Sequence, residues 1–163
     1  MDKFGGTVAC TVNINNKLVA EGVQIELPEI ANKTVTYQAM GDADMVMPIT
    51  DAMEATITFI GTDSGLLEAL RENTEFECRW VEKKTTPLGG TVNVGNKAFL
   101  TGGAKSFPAL SVQPGESVEV AIPLAVLRYT LFSDGEEVLC VDKDNFIYRV
   151  NGVDLLAEVK TML

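Results

Sequence analysis

The sequence lacks histidine altogether and has little positive charge. Histidine is the commonest general base and a frequent metal ligand, so its absence excludes most nucleophilic triads and many metal sites. The 163 residues carry 13 Lys and Arg against 23 Asp and Glu, which gives a net charge of −10. A chain this acidic has no basic surface with which to hold DNA or an anionic membrane. We therefore expect neither a specific nucleic-acid partner nor a membrane partner.

Long apolar runs and cysteine motifs are also missing. No apolar run reaches the roughly 18 residues that a membrane helix needs, and residues 1–6 lack the basic and apolar regions of a signal peptide. We therefore expect the protein to fold in the cytoplasm. The cysteines Cys10, Cys78 and Cys140 are far apart, so they are predicted to be small core residues and not a zinc or redox site. No cofactor is expected.

The remaining candidates for chemistry are paired carboxylates. Asp42 with Asp44, and Asp142 with Asp144, could hold a cation, but neither pair is followed by the glycine and glutamate of a calcium loop. Such acidic clusters usually lie on solvated turns. The sequence therefore predicts a structural or binding protein and not an enzyme.

Strand patterns dominate what the sequence does contain. Runs of alternating apolar and polar residues recur at 8–14, 23–27, 33–39, 53–60, 76–81, 98–101, 117–132, 137–141 and 146–150. Asn15-Asn16 and Asp134-Gly135 are typical of hairpin turns. The pattern predicts one domain over residues 1–163. It is mainly β, an antiparallel β-sandwich or barrel with one or two short flanking helices.

Two short helices are predicted from apolar residues at helical spacing. The first follows a cap at Thr62 or Asp63 and runs about three turns, with Leu66, Leu67 and Leu70 on its buried side. The second closes the sequence. Its apolar face is formed by Leu155, Leu156, Val159 and Leu163.

Three segments depart from the plain strand pattern, and two of them suggest contacts between subunits. Residues 41–50 and 83–95 are predicted to be long loops, and long loops in compact domains are usually functional or disordered. The first contains Met45, Val46, Met47 and Ile49, which either form a contact or fold back onto the subunit's own sheet. In the run 117–132 the apolar pattern becomes two-sided, at Leu127, Tyr129 and Leu131. A strand of this kind lies either between subunits or inside a plain sandwich.

The end of the chain resembles a known family. Residues 145–157 read NFIYRVNGVDLLA, which is similar to the closing segment of the major tail tube proteins of contractile-tailed phages of the temperate coliphage type and of related R-type bacteriocins. The residues of this motif are Tyr148, Arg149, Asn151, Gly152 and Asp154. Segments 26–35, 51–57 and 134–138 agree with the same family in order.

The resemblance implies a tail-tube-like fold and a structural role. It implies hexameric rings that stack into a hollow conduit, are wrapped by a sheath protein and start from baseplate or initiator proteins. The subunit would assemble in the host cytoplasm and end in a virion tail or a secreted phage-tail-like particle. In such a tube the loop with Met45, Val46, Met47 and Ile49 is expected to stack rings, and an acidic lumen would let DNA slide.

Two other functions stay open at this point. One is the tube of a related type VI-like injection machine, which shares the architecture. The other is a small β-sandwich module that binds a carbohydrate or a partner protein. A cluster of surface aromatic residues would favour such a module, yet the one tryptophan, Trp80, lies within a predicted strand.

Overall fold

Strands make up most of the computed structural model, which describes residues 2–21, 24–62 and 64–163. The strands are β1 (Lys3–Ile14), β2 (Lys17–Glu21), β3 (Gln24–Glu26), β4 (Asn32–Ala39), β5 (Gly41–Thr50), β6 (Met53–Ile60), β7 (Thr74–Thr85), β8 (Thr91–Ala104), β9 (Glu119–Ser133), β10 (Glu136–Asp142), β11 (Ile147–Val150) and β12 (Val153–Asp154). A 3-10 turn at Ser64–Leu67 continues into α1 (Glu68–Arg71), and α2 (Ala157–Thr161) closes the chain. The predicted strand residue Val23 and the predicted cap Asp63 lie outside the described residues.

The main sheet is antiparallel and has the order β12-β11-β10-β9-β8-β7-β1-β2. Its centre is β9, which pairs with β8 along one side. Along the other side, residues 119–126 of β9 pair with β6 and residues 128–133 pair with β10. The sheet therefore divides at β9, and β6 with its neighbour β3 forms a second branch.

One hydrophobic core joins the two branches. On β6 every second side chain is buried, from Met53 to Phe59, and these pack with Val12, Phe76 and Leu100 of the main sheet. Each of the large side chains among them contributes roughly 1.5–3 kcal/mol when fully removed from water. The predicted antiparallel sandwich with short helices is confirmed. In the described part of the chain β2 and β12 do not pair, so the sheet is open and the alternative of a closed barrel is wrong.

A β-bulge at Leu127 explains the two-sided apolar pattern of β9. Opposite β8, Thr101 pairs with Arg128 and Gly102 with Val126, which leaves Leu127 as the extra residue. Before the bulge the even positions are buried, whereas after it the odd position Tyr129 turns inward. A change of phase within one strand is therefore enough to produce the two-sided pattern.

The prediction that Tyr129 lies in a contact between subunits is not supported by its position after the bulge. Its side chain is only 4% exposed and belongs to the core of its own subunit, so it has almost no surface left for a neighbour. Leu131 is half-buried and packs against the same core. Leu127 is half-buried too. For Leu127 and Leu131 the inter-subunit role stays a prediction.

Both predicted long loops are hairpin strands instead. Residues 41–50 form β5, which pairs with β4. In the segment 83–95, β7 continues to Thr85 and β8 starts at Thr91, so only five residues turn the chain. Thr86 and Gly90 close that turn with a backbone hydrogen bond of 2.8 Å. The first loop prediction was wrong because a two-stranded ribbon that is largely exposed on both faces lacks the alternation that marks a half-buried strand. The second was wrong because Pro87, Gly89 and Gly90 mark only the turn itself, and the strands on either side continue up to it.

The predicted helices are shorter than expected. The internal one has a single 3-10 turn and a single α turn, and of its three leucines only Leu66 is buried. At the end of the chain only Leu156 of the four predicted apolar residues is buried. Leu155, Val159 and Leu163 are exposed, so the predicted shared core face is wrong for these three.

The predicted hairpin turns are confirmed. Asn15 and Asn16 connect β1 to β2 with φ values of 50° and 65°. Asp134 and Gly135 connect β9 to β10 with φ values of 52° and 81°. Two central residues with positive φ match the twist of the flanking strands, which is why Asn, Asp and Gly are favoured there.

Gly102 is required by close backbone packing at the bulge. A Cβ atom on Gly102 would stand 1.9 Å from the carbonyl oxygen of Ala125. We expect Gly102→Ala to lower the free energy of unfolding by about 1–3 kcal/mol or more, because overpacking displaces the neighbouring backbone. Gly95→Ala on the same strand is the control, since a Cβ there meets nothing within 4 Å. Urea unfolding of both variants measures the effect, and equal midpoints would contradict the account.

Candidate assembly surfaces

The β4–β5 hairpin stands apart from the main sheet. Its two strands form a separate two-stranded sheet and pair only with each other among the described strands. Every residue of β4 is exposed. A two-stranded hairpin without a packed face is marginally stable in water at best. The hairpin therefore needs support from its base or from another molecule.

One side of the hairpin is apolar. Val35 lies opposite Met45, and Tyr37 lies opposite Ala43. Val35, Tyr37 and Met45 are 53%, 46% and 51% exposed, and Met40 at the turn is fully exposed. We call Val35, Tyr37, Ala43 and Met45 the apolar side. An exposed apolar patch on a soluble protein usually marks a site of interaction.

The other side of the hairpin is largely polar. The hydroxyl of Thr36 donates to the Asp44 carboxylate at 2.8 Å, and the amide of Gln38 donates to Asp42. These two carboxylates therefore hold strands together. Val46 is the apolar exception on this side, opposite Thr34.

The four predicted ring-stacking residues therefore do not lie on one side of the hairpin. Met45 lies on the apolar side and Val46 on the opposite side. Met47 and Ile49 lie nearer the base, where the register of β5 shifts around Pro48. Val46 and Ile49 are exposed.

The base of the hairpin is tied to the sandwich by side chains. The hydroxyl of Tyr148 on β11 donates to the side-chain oxygen of Asn32 at 2.8 Å. The ammonium group of Lys143 donates to the carbonyl oxygens of Thr50 at 3.1 Å and Asp51 at 2.7 Å. The start of β4 is thus bonded to β11, and the end of β5 is bonded to the turn between β10 and β11.

The Asp142 carboxylate shapes the turn that carries Lys143. It accepts backbone N–H bonds from Asp144 and Asn145, each at 3.1 Å, and a side-chain bond from Asn145 at 2.7 Å. Burial alone would raise the pKa of the Asp142 carboxyl. The bonds from Asn145 and Asp144 and the charge of Arg128, 3.8 Å away, outweigh burial, so this pKa lies below its ordinary value. The carboxylate is therefore engaged by its own turn.

The remaining family-motif residues stabilise the C-terminal hairpin. Arg149 pairs with Glu137 at 3.0 Å. Asn151 and Gly152 form the turn from β11 to β12, with φ values of 49° and 82°. Asp154 accepts the backbone N–H of Leu156 at 3.0 Å, a bond that lowers the pKa of its carboxyl.

Sequence patterns did not identify Asn32 or Lys143 as site residues. Lys143 lies between Asp142 and Asp144, where a charged surface turn was the simplest interpretation. Asn32 precedes a strand and carries no motif. Their role depends on partners 93 and 116 positions away along the chain, at Thr50 and Tyr148, and no local signal encodes such a contact.

A second candidate surface is the pair of sheet edges. Strand β2 is seen to pair with Thr11–Ile14 of β1, and residues 3–8 have β7 as their one partner strand in the described structure. Phe4 and Val8 on this edge are exposed. At the other end of the sheet lie β12, with exposed Val153, and α2. Unpaired edges offer backbone groups to a further strand.

Comparison with known proteins now decides the family. The sequence matches the family described as phage tail tube protein FII over residues 8–163. The chain belongs to this family. It is a tail tube subunit, a component of a virion or of an extracellular injection particle. The predicted function as a tail tube subunit is confirmed.

Solved structures share the fold. A chain of the PVC sheath–tube complex of an extracellular contractile injection system, in the extended state, has a TM-score of 0.54 and 11% identity, over 76% of this chain and 88% of that one. A chain of the PVC sheath/tube terminator has a TM-score of 0.55 and 11% identity, over 77% and 94%. Comparison with curated proteins found no sequence match. In the described residues no helix is long and apolar enough to cross a membrane.

The Asp142 turn predicts a pH dependence for this tube protein. Because its pKa is lowered in the folded state, the ionised carboxylate stabilises the fold above the unfolded pKa of about 3.9, and this stability is lost as pH falls through the folded pKa. Asp142→Asn should therefore be less stable than the wild type at pH 7. The difference in the free energy of unfolding between the two proteins should be smaller at pH 3. Urea midpoints at both pH values test this, with Asp144→Asn in the same turn as control. A gap of equal size at both pH values would contradict it.

Proposed function

We propose that this tube protein is a single domain over residues 1–163 that forms hexameric rings. The rings stack into the inner tube of a contractile tail. The tube lies inside a sheath protein and starts from a baseplate or initiator protein. Assembly takes place in the host cytoplasm, and the finished tube belongs to a virion tail or a secreted particle. The role is structural, without catalysis.

The sheet edges support the ring contact. The edge of β1 and the edge at β12 lie at opposite ends of one sheet, and they are different surfaces. A contact between two different patches is heterologous, and it closes into a ring when the rotation between neighbours allows it. Pairing one copy's β1 edge with the next copy's β12 edge would cover Phe4, Val8 and Val153 and remove both free edges.

The hairpin supports the stacking contact, and it is the observation that carries the proposal. The large side chains of its apolar side are exposed, and its two strands pair only with each other among the described strands. The exposure of Met45, Val46 and Ile49 does not favour the alternative in which these side chains fold back onto the subunit. A neighbouring ring would bury the apolar side. Met suits such a contact because its flexible thioether adapts to the facing surface.

The proposal that a sheath protein surrounds the tube is supported by two solved structures that share the fold. One belongs to a sheath–tube complex and another to a sheath/tube terminator. Those assemblies place tube and sheath together in contractile machines. The acidic composition of this chain is compatible with a lumen that repels a polyanion such as DNA.

Replacing Met45, Val46 and Met47 with serine tests the stacking contact. We expect thermal unfolding of the monomer to stay almost unchanged and tube formation to be lost, because these side chains pack on another copy. Sedimentation and negative-stain microscopy at increasing protein concentration measure tube formation. Val112→Ser is the control, since Val112 is an exposed apolar residue of the segment between β8 and β9.

Two results would reject the stacking contact. One is a monomer destabilised by several kcal/mol, the range for deleting core side chains. The other is a triple variant that forms tubes at the wild-type concentration. Single Met45→Ser and Val46→Ser variants then assign the contact to one side of the hairpin, and we expect Met45→Ser to have the larger effect.

A further inference from the structure

We propose that Asn32, Lys143 and Tyr148 are positioning residues that fix the direction in which the β4–β5 hairpin leaves the sandwich. We call these three residues the base clamp. The proposal rests on the stacking contact proposed above, because the direction of the hairpin matters for assembly only if the hairpin meets a neighbouring ring.

The base clamp acts where both strands of the hairpin join the body. Asn32 begins β4, and Thr50 ends β5. The backbone N–H of Asp51 donates to the carbonyl of Ala31 at 2.9 Å, which closes the base. Tyr148 then holds the β4 side, and Lys143 holds the β5 side. Bonds on both strands resist rotation about the base as well as displacement.

The length of the hairpin amplifies any movement at its base. Eight residues of β4 at about 3.3 Å each make a lever of roughly 26 Å. A tilt of about 10° at the base would move the turn at Met40 by about 4–5 Å, by the same strand rise. A displacement of that size is close to the spacing between paired strands, so the apolar side would miss its target on the next ring.

The clamp residues stand on rigid support. Lys143 sits in the turn that the Asp142 carboxylate locks, and its own backbone N–H donates to the carbonyl of Leu127 at the β9 bulge, at 3.2 Å. Tyr148 is 6% exposed and pairs with Val141 within the sheet. Phe146, between them, has a φ of 57°, an uncommon backbone conformation for an aromatic residue. Strained residues of this kind persist where the surroundings determine the geometry.

Packing alone does not hold the base in place. An open pocket of about 220 Å³ lies between the hairpin base and the β10–β11 turn. Its walls include Pro48 and Ile49 from β5 and Phe146, Ile147 and Leu156 from the body. Because this pocket is open to solvent, the packing between the two sides is incomplete. The side-chain hydrogen bonds therefore set the direction, and the open space gives the hairpin room to tilt when they are removed.

Removing the donors tests the base clamp in the full-length chain. Lys143→Met keeps the apolar stem and removes the ammonium group, and Tyr148→Phe removes the hydroxyl only. In the double variant, hydrogen exchange of the amides in 32–50 should become about tenfold faster, as expected when a few hydrogen bonds are lost. The protein concentration needed for tube formation should rise severalfold, while the melting temperature changes little. With Lys143→Arg in place of Lys143→Met, hydrogen exchange in 32–50 and the concentration for tube formation should return most of the way to wild-type values. The reason is that a guanidinium also donates to carbonyl oxygens.

A matched control separates the clamp from general charge loss. Lys105 pairs with Glu54 of β6 at 3.3 Å and not with a residue of the hairpin, so Lys105→Met should leave exchange in 32–50 and assembly at wild-type values. Wild-type exchange in the double variant would overturn the clamp. Faster exchange with wild-type assembly would overturn its positioning role. The serine triple variant keeps the two proposals apart. If it forms tubes normally, the stacking contact itself is rejected. If it fails to assemble while the double variant assembles normally, only the clamp is rejected.

Discussion

The structure depends on the hydrogen-bonded ladders of β9, which joins three other strands. Its first half binds β6 and its second half binds β10, while β8 runs along the opposite side. The bulge at Leu127 lies where these partners change. Before the bulge, β9 pairs with β6. After the bulge, the side chain of Tyr129 points into the core. The backbone carbonyl at Leu127 also binds Lys143, so the same irregularity supports the base of the hairpin.

The division between a packed sandwich and a hairpin that is held at its base suits a tube subunit. The sandwich has a buried hydrophobic core of its own, so it can be stable before assembly. The hairpin leaves an apolar side exposed, so it gains most when a second copy covers it. An assembly element that is held in direction but free on its surface loses little conformational entropy on contact, because its orientation is already fixed. This physical arrangement links the base clamp to the growth of a tube.

Sequence patterns predicted the sandwich because its strands are half-buried and alternate, as β6 does from Met53 to Phe59. They also predicted the family from residues 145–157. They failed for β5, since a ribbon exposed on both faces has no alternation to detect. They misassigned Tyr129, because a bulge reverses the phase of a strand without leaving a local signal. The link from Tyr148 to Asn32 was not predictable, since it joins residues that only the folded sheet brings together.

A cryo-electron microscopy reconstruction of tubes assembled from the wild-type protein tests the central claim most directly. The account predicts stacked rings in which the apolar side of each β4–β5 hairpin, with Val35, Tyr37 and Met45, is buried against the next ring, and in which Lys143 and Tyr148 still bind the hairpin base. A tube in which this side faces solvent or the lumen, with the stacking contact made elsewhere, would contradict it.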